Sequence, residues 1–124
     1  MVLQLFLTGE TPSKKNSRVT DTRTGRTFPN ARYRKWENEK INEVRLQYQG
    51  EPIDGPLNID MIFYHTNKKV RDCDNPVNSV LDMLKKAGVL KDDRWTLVPL
   101  HKVLHKLSEG EGCEIVITDY KGAL

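Results

Sequence analysis

The stretch KKVRDCDNPVNSVLDMLKKAGVLKDD, residues 68–93, decides how this chain folds and what it gathers. Pro76 suits the first turn of a helix, where its missing N–H costs no hydrogen bond, and Asp74 or Asn75 stands where a cap belongs. Val77, Val80, Leu81 and Leu84 recur at i, i+3, i+4 and i+7, so one face of that helix is apolar and must be buried. Gly88 can end it, because a glycine accepts the left-handed backbone of a helix terminus. Asp74, Asn78 and Asp82 are four apart and run along another side. Acids thus stand at the helix entrance (Asp72, Asp74), along one flank, and just past its end (Asp92, Asp93).

Upstream, Leu57 to Tyr64 alternates, with Leu57, Ile59, Met61 and Phe63 on one side, which predicts a strand leading into the basic run and Asp72. Gly50, Pro52, Gly55 and Pro56 separate it from a helical pattern over Arg32 to Gln49. There Tyr33, Trp36, Ile41, Val44 and Tyr48 fall near one face, as core residues rather than stacking platforms for bases. Downstream, Trp95 to Leu107 is extended in character, with Pro99 marking an edge or bulge, and Cys113 to Thr118 is a last strand. At the start, Val2 to Leu7 makes a first strand closed by Gly9 and Pro12, and a turn around Gly25 allows a hairpin or ordered loop between Arg18 and Phe28, or equally a mobile segment. No repeat or boundary interrupts this order. It implies one α+β domain over residues 1–124, a mixed β-sheet with two main helices packed on it.

A chain of 124 residues can build a modest core without disulfide support. Cys73 and Cys113 form no CxxC pair and no zinc pattern, so reduced thiols and a cytoplasmic protein are expected. The opening apolar run is too short for a membrane span or a signal peptide, and no membrane partner is expected. The net charge of +3 is mild, but its distribution is not. From Lys14 to Lys35 eight basic residues, among them Lys15, Arg18 and Arg32, face one acid, Asp21. Such an excess makes a phosphate-facing surface or, more blandly, a solvated loop.

The acids admit two readings. An acid before a helix often only caps it or answers its dipole, and Asp92 and Asp93 could be ordinary turn residues. A cap uses one side chain, however, and this stretch offers Asp72, Asp74 and Asn75 together. Were Asp72, Asp74 and Asp93 to meet, two carboxylates about 4 Å apart would repel by roughly 4 kcal/mol at an effective dielectric near 20. Grouping three requires a cation or raised pKa values. Mg²⁺ suits oxygen ligands, can turn a bound water into a nucleophile and can stabilise the leaving oxygen of a phosphodiester.

Arg71-Asp72-x-Asp74-Asn75, a helix containing Asp82, and then Ala87-Gly88-Val89-x-x-Asp92-Asp93 resemble the RusA-like family of Holliday junction resolvases, small Mg²⁺-dependent endonucleases. Pro12-Ser13-Lys14-Lys15-Asn16 is similar to that family's opening loop, so the resemblance spans almost the whole chain. It implies that Asp72, Asp74 and Asp93 are the catalytic, metal-binding acids, and that the protein is a bacterial or phage-encoded homodimer nicking four-way DNA junctions symmetrically. Lys14, Lys15, Asn16, Arg18, Lys69 and Arg71 are the expected DNA-binding residues. Two positions depart from the pattern. Asn78 stands where the family commonly has a lysine, and Trp95 where it tends to have a glutamine. Lys69 or Arg71 could supply the missing cation.

Three functions therefore compete: a Mg²⁺-dependent resolvase, a junction-binding protein of the same fold with catalysis weakened at Asn78, and a non-enzymatic module holding a structural cation. His101 and His105 share a face of a strand but lie about 13 Å apart along it. With His65, they read as surface or interface histidines rather than metal ligands.

Overall fold

Burial on alternate positions marks Leu57–His65 as one of the two inner strands of the main sheet. Leu57, Ile59, Met61 and Phe63 are all buried, so this strand (β4) carries the middle of the core. The computed structural model describes residues 2–13 and 18–124, and Lys14, Lys15 and Asn16 lie outside them. Before β4 come β1 (Val2–Thr8), the short pair β2 (Arg18–Thr20) and β3 (Thr27–Pro29), and helix α1 (Ala31–Gln47). After it come α2 (Asn75–Lys86), β5 (Leu100–Leu107) and β6 (Gly112–Asp119).

The main sheet has the order β1-β6-β4-β5. β6 is antiparallel to both β1 and β4, whereas β5 is parallel to β4 and reached by way of α2. The sheet is therefore mixed and carries two helices, as the alternation of patterns implied. β2 and β3 form a separate hairpin, the ordered alternative around Gly25, with Val19 opposite Phe28. One apolar cluster runs from Leu5 in β1 through Val44 in α1 and Val80 in α2 to Ile117 in β6.

Helix α1 buries Tyr33, Trp36 and Val44, as its periodicity predicts, but also Glu37 and Lys40. These charges are answered. The Lys40 ammonium meets Glu43 and Thr8 Oγ1, and Glu37 meets Lys86 of α2 at 2.9 Å. The same face of α1 occupies the free edge of β1. Gln47 accepts from Phe6 N at 2.8 Å and donates to Phe6 O at 2.7 Å, while Glu43 accepts from Thr8 N at 2.9 Å. An edge strand whose backbone groups are taken by side chains cannot recruit another strand. β5 forms the other edge, and no described strand pairs with its outer side.

Helix α2 buries Val77, Val80, Met83 and Leu84, whereas Leu81 is only half-buried. The apolar face is rotated toward Met83, because α2 packs against α1 as well as the sheet. Gly88, at φ +79°, ends the helix as expected. Gly55 serves differently. A Cβ there would lie 2.3 Å from the carbonyl oxygen of Leu97, so only glycine lets the two backbones approach.

The expectation of extended chain from Trp95 onward is corrected. Leu97 N and Val98 N both donate to Arg94 O at 3.0 Å, so the chain turns there, and the strand begins at Leu100. Leu97 and Val98 are both buried. A strand cannot send two successive side chains to the same side, and a turn can.

Candidate active site

The loop from β4 to α2 presents Asp72 and Asp74, and Arg71 builds that loop. Its Nε donates to Glu10 at 2.6 Å, and its two terminal nitrogens reach Asn67 O, Lys69 O and Asn67 Oδ1 at 3.0–3.2 Å. Arg71 thus draws residues 67–71 into a tight curl tied to the end of β1. Lys68 and Lys69 are left exposed on its outside. Asp72 accepts from the Asn75 amide, which orients its carboxylate toward the helix entrance. Asp74 occupies the cap position and its carbonyl takes Val77 N at 3.1 Å, but its carboxylate makes no capping bond. The capping role that competed for Asp74 is not the one its side chain plays.

Asp72 stands between two clefts. One, of about 340 Å³, is walled by Lys68, Lys69 and Lys106. The other, of about 430 Å³, runs toward Arg32 and Trp36. A third, of about 350 Å³, holds Asp74 and Asn78 of α2 opposite His101 of β5. Both acids are exposed, with cations on the walls around Asp72: a surface that can take a phosphate together with a divalent ion.

Asp93 lies elsewhere in the same chain. It follows Asp92, whose carboxylate meets Lys85 Nζ at 3.2 Å and Arg94 at 3.5 Å beyond the last turn of α2. The Asp93 amide and the Lys85 ammonium hold Asp92 below its usual carboxylate range. The helix from Asp74 to Lys85 is about 16 Å long at 1.5 Å per residue. Among the described residues no three histidine, cysteine, aspartate or glutamate side chains converge closely enough to hold a metal. Asp72 and Asp74 flank Cys73 and line adjoining clefts, and Asp93 forms no metal-binding trio with them within one chain. Two carboxylates still fit Mg²⁺, which keeps several waters and is commonly held by one or two carboxylates plus substrate phosphate.

Arg18 contributes its backbone to β2. Asn78 is exposed one turn after Asp74. The two lysines further along α2 are both engaged, Lys85 with Asp92 and Lys86 with Glu37 and Asp82.

Two residues beside the acids were not legible as site residues. His65 ends β4 and His105 lies on β5, and their rings meet nitrogen to nitrogen at 2.8 Å. His105 Nε2 also reaches the carbonyl of Cys73, between the two acids, at 2.8 Å. The two positions are 40 residues apart, and only the parallel β4–β5 register, with Phe63 opposite His105, brings them together.

A family model for Endodeoxyribonuclease RusA matches residues 9–118. The chain is also 32% identical over 120 residues to the Crossover junction endodeoxyribonuclease RusA of Aquifex aeolicus (strain VF5), covering 96% of this chain and 93% of that protein. The span 9–118 takes in both helices, the acidic loop, β4, β5 and all but the last residue of β6, so the chain belongs to the RusA family of endodeoxyribonucleases.

Proposed function

We propose that this protein is a Mg²⁺-dependent endodeoxyribonuclease that binds four-way DNA junctions as a homodimer and nicks opposing strands. The observation that carries the reading is a pair of exposed carboxylates, Asp72 and Asp74, beside lysine-walled clefts in a chain of this family. Asp72 and Asp74 hold the ion, with Asp93 as the third acid. When bound, Mg²⁺ supplies an activated water and charge for the leaving oxygen. The chain's own residues do the rest. Lys68, Lys69 and Lys106 draw the DNA backbone against Asp72, and Arg71 keeps the loop in place so that Lys69 faces outward. Lys14, Lys15, Asn16 and Arg18 extend the phosphate contacts, which position DNA without reading its sequence.

The place of Asp93 supports the dimer. If one ion needs all three acids, the third comes from a second copy, since Asp93 lies at the far end of α2 in its own chain. The bare edge of β5 offers a route. On β1, Gln47 and Glu43 take the outward groups of Phe6 and Thr8, whereas no described strand pairs with the outer side of β5, which favours growth of the sheet there. Antiparallel pairing of two β5 edges about a two-fold sets the start of one β5 beside the end of the other. The acid pair that precedes β5 then lies toward the other copy's Cys73.

Asp74→Asn is the test. Nicking of a labelled junction in Mg²⁺ is expected to fall by about 10² or more, a loss of nearly 3 kcal/mol of transition-state stabilisation. Junction affinity stays the same or rises, because negative charge near the phosphates is removed. Nicking at the wild-type rate would end the metal assignment. A second reading, a junction-binding protein of slow turnover, is favoured by Asn78, which leaves no lysine on the first turn of α2.

A further inference from the structure

The two histidines beside the acidic loop form a hydrogen-bonded chain whose direction can be worked out. The carbonyl of Cys73 can only accept, so His105 Nε2, at 2.8 Å, carries the proton. In a neutral ring Nδ1 is then the acceptor, and His65 Nε2 donates to it across 2.8 Å. The two rings lie within 7° of parallel with centres 5.1 Å apart. Together with the short nitrogen contact, that separation places them edge to edge in one plane rather than face to face. Phe63 lies along His105, with ring centres 5.2 Å apart. At the outer end, His65 Nδ1 faces Glu111 Oε2 at 3.7 Å. Glu111 is itself fixed by Thr66 N at 3.0 Å and Thr66 Oγ1 at 2.8 Å. Both nitrogens of His105 are spent in this chain, so it is no metal ligand. What it grips is the peptide joining Cys73 to Asp74.

We infer that His105, with its tautomer locked by His65, is a positioning residue for the two acids: by holding the Cys73 carbonyl it fixes the peptide between them, so that Asp72 and Asp74 face one ion. The inference rests on the reading of Asp72 and Asp74 as ion-binding acids. The loop has few other means of fixing that peptide. Arg71 binds residues before Asp72, and the helix takes only the carbonyl of Asp74. Without the imidazole, the 73–74 peptide is free to rotate and the carboxylates diverge. Support of this kind around a metal centre typically changes metal affinity by about 10- to 100-fold.

The test compares His105→Phe, which keeps a ring against Phe63 but has no donor, with His105→Gln, which keeps an N–H. Mn²⁺ binding to the DNA-free protein is read by electron paramagnetic resonance, and junction nicking is followed across a Mn²⁺ titration. His105→Phe is expected to weaken Mn²⁺ binding by about tenfold or more and to shift the nicking titration equally, with junction affinity unchanged. His105→Gln recovers most of the loss. Wild-type Mn²⁺ binding in the Phe variant, or a Gln variant as weak as the Phe variant, overturns the inference. Long-range imidazole ¹⁵N spectra of the unmodified chain test it without any mutation: the proton of His105 belongs on Nε2, and one on Nδ1 overturns it. Asp74→Asn, run in parallel, separates the two claims. If that variant loses Mn²⁺ while His105→Phe retains it, only the positioning role fails. If Asp74→Asn itself binds Mn²⁺ normally, the reading of the acids fails, and the positioning role with it.

Discussion

At the scale of single residues, Asn78 is the position at which the proposed catalysis is most sharply tested. It is exposed, one turn after Asp74, and lines the same cleft. A lysine there would bring positive charge to the side of α2 that carries Asp74. The lysines already on α2 cannot substitute, because Lys85 is drawn to Asp92 and Lys86 to Glu37 and Asp82. Asn78→Lys is expected to raise the single-turnover nicking rate about tenfold, or roughly 1.4 kcal/mol of transition-state stabilisation, with little change in binding. The measurement is a rate comparison at saturating enzyme and fixed Mg²⁺, with Arg71→Ala beside it. Because Arg71 curls the loop that presents Lys69, its loss lowers the rate through a displaced loop. An unchanged rate in Asn78→Lys with collapse in Arg71→Ala would show that the missing cation is not what limits turnover.

Between elements, the join of α1 to β1 rests on Gln47 and on one half-buried carboxylate, Glu43. Burial pulls the Glu43 pKa upward, but the Lys40 ammonium and the Thr8 donors outweigh it and hold the carboxyl below its ordinary 4.5. A carboxylate whose pKa is lower in the folded state stabilises the fold above the unfolded value, and that contribution is lost as the pH falls through the folded one. Glu43→Gln is therefore expected to cost about 1–2 kcal/mol at neutral pH, where hydrogen bonds from Lys40 and the Thr8 amide weaken. The cost shrinks as the pH drops below about 4.5 toward the folded pKa, because wild type then loses the same charge. Urea denaturation at pH 7 and near pH 3.5 checks both parts. A deficit of equal size at the two pH values would mean that Glu43 acts by packing rather than by charge.

For the molecule as a whole, the separation of Asp93 from Asp72 and Asp74 has a consequence that mixing can expose. Asp74→Asn and Asp93→Asn are each expected to be inactive as pure preparations. If the acids of one centre come from two copies, a mixed dimer holds one intact centre: Asp72 and Asp74 from the Asp93→Asn copy, Asp93 from the other. Random exchange makes half the dimers mixed, each with one of two centres, so about a quarter of wild-type nicking should return, as single uncoupled nicks. A centre made within one chain predicts no recovery at all. The gel of a mixed reaction on a four-way junction distinguishes these outcomes.

What the sequence determined by itself is what depends on neighbours along the chain. Period-two burial in β4, the Pro76 start and Gly88 stop of α2, the α+β order of elements, and the acids around the start of α2 all follow from spacing over a few residues. The motif from Arg71 to Asp93 was enough to indicate the family that the comparisons then showed. What only the tertiary structure decided is what depends on residues distant in sequence. The turn at Trp95 to Val98 replaces extended chain because Leu97 and Val98 must both be buried, a demand set by what packs on them. Glu37 and Lys40 enter the interior because Lys86 and Thr8 are there to meet them. The motif put Asp93 with Asp72 and Asp74, but the length of α2 separates them within one chain, since a rigid helix fixes the distance between its ends whatever the motif around it. His65 and His105, unremarkable in the sequence, meet under the acids because parallel pairing of β4 with β5 fixes a register that no local pattern encodes.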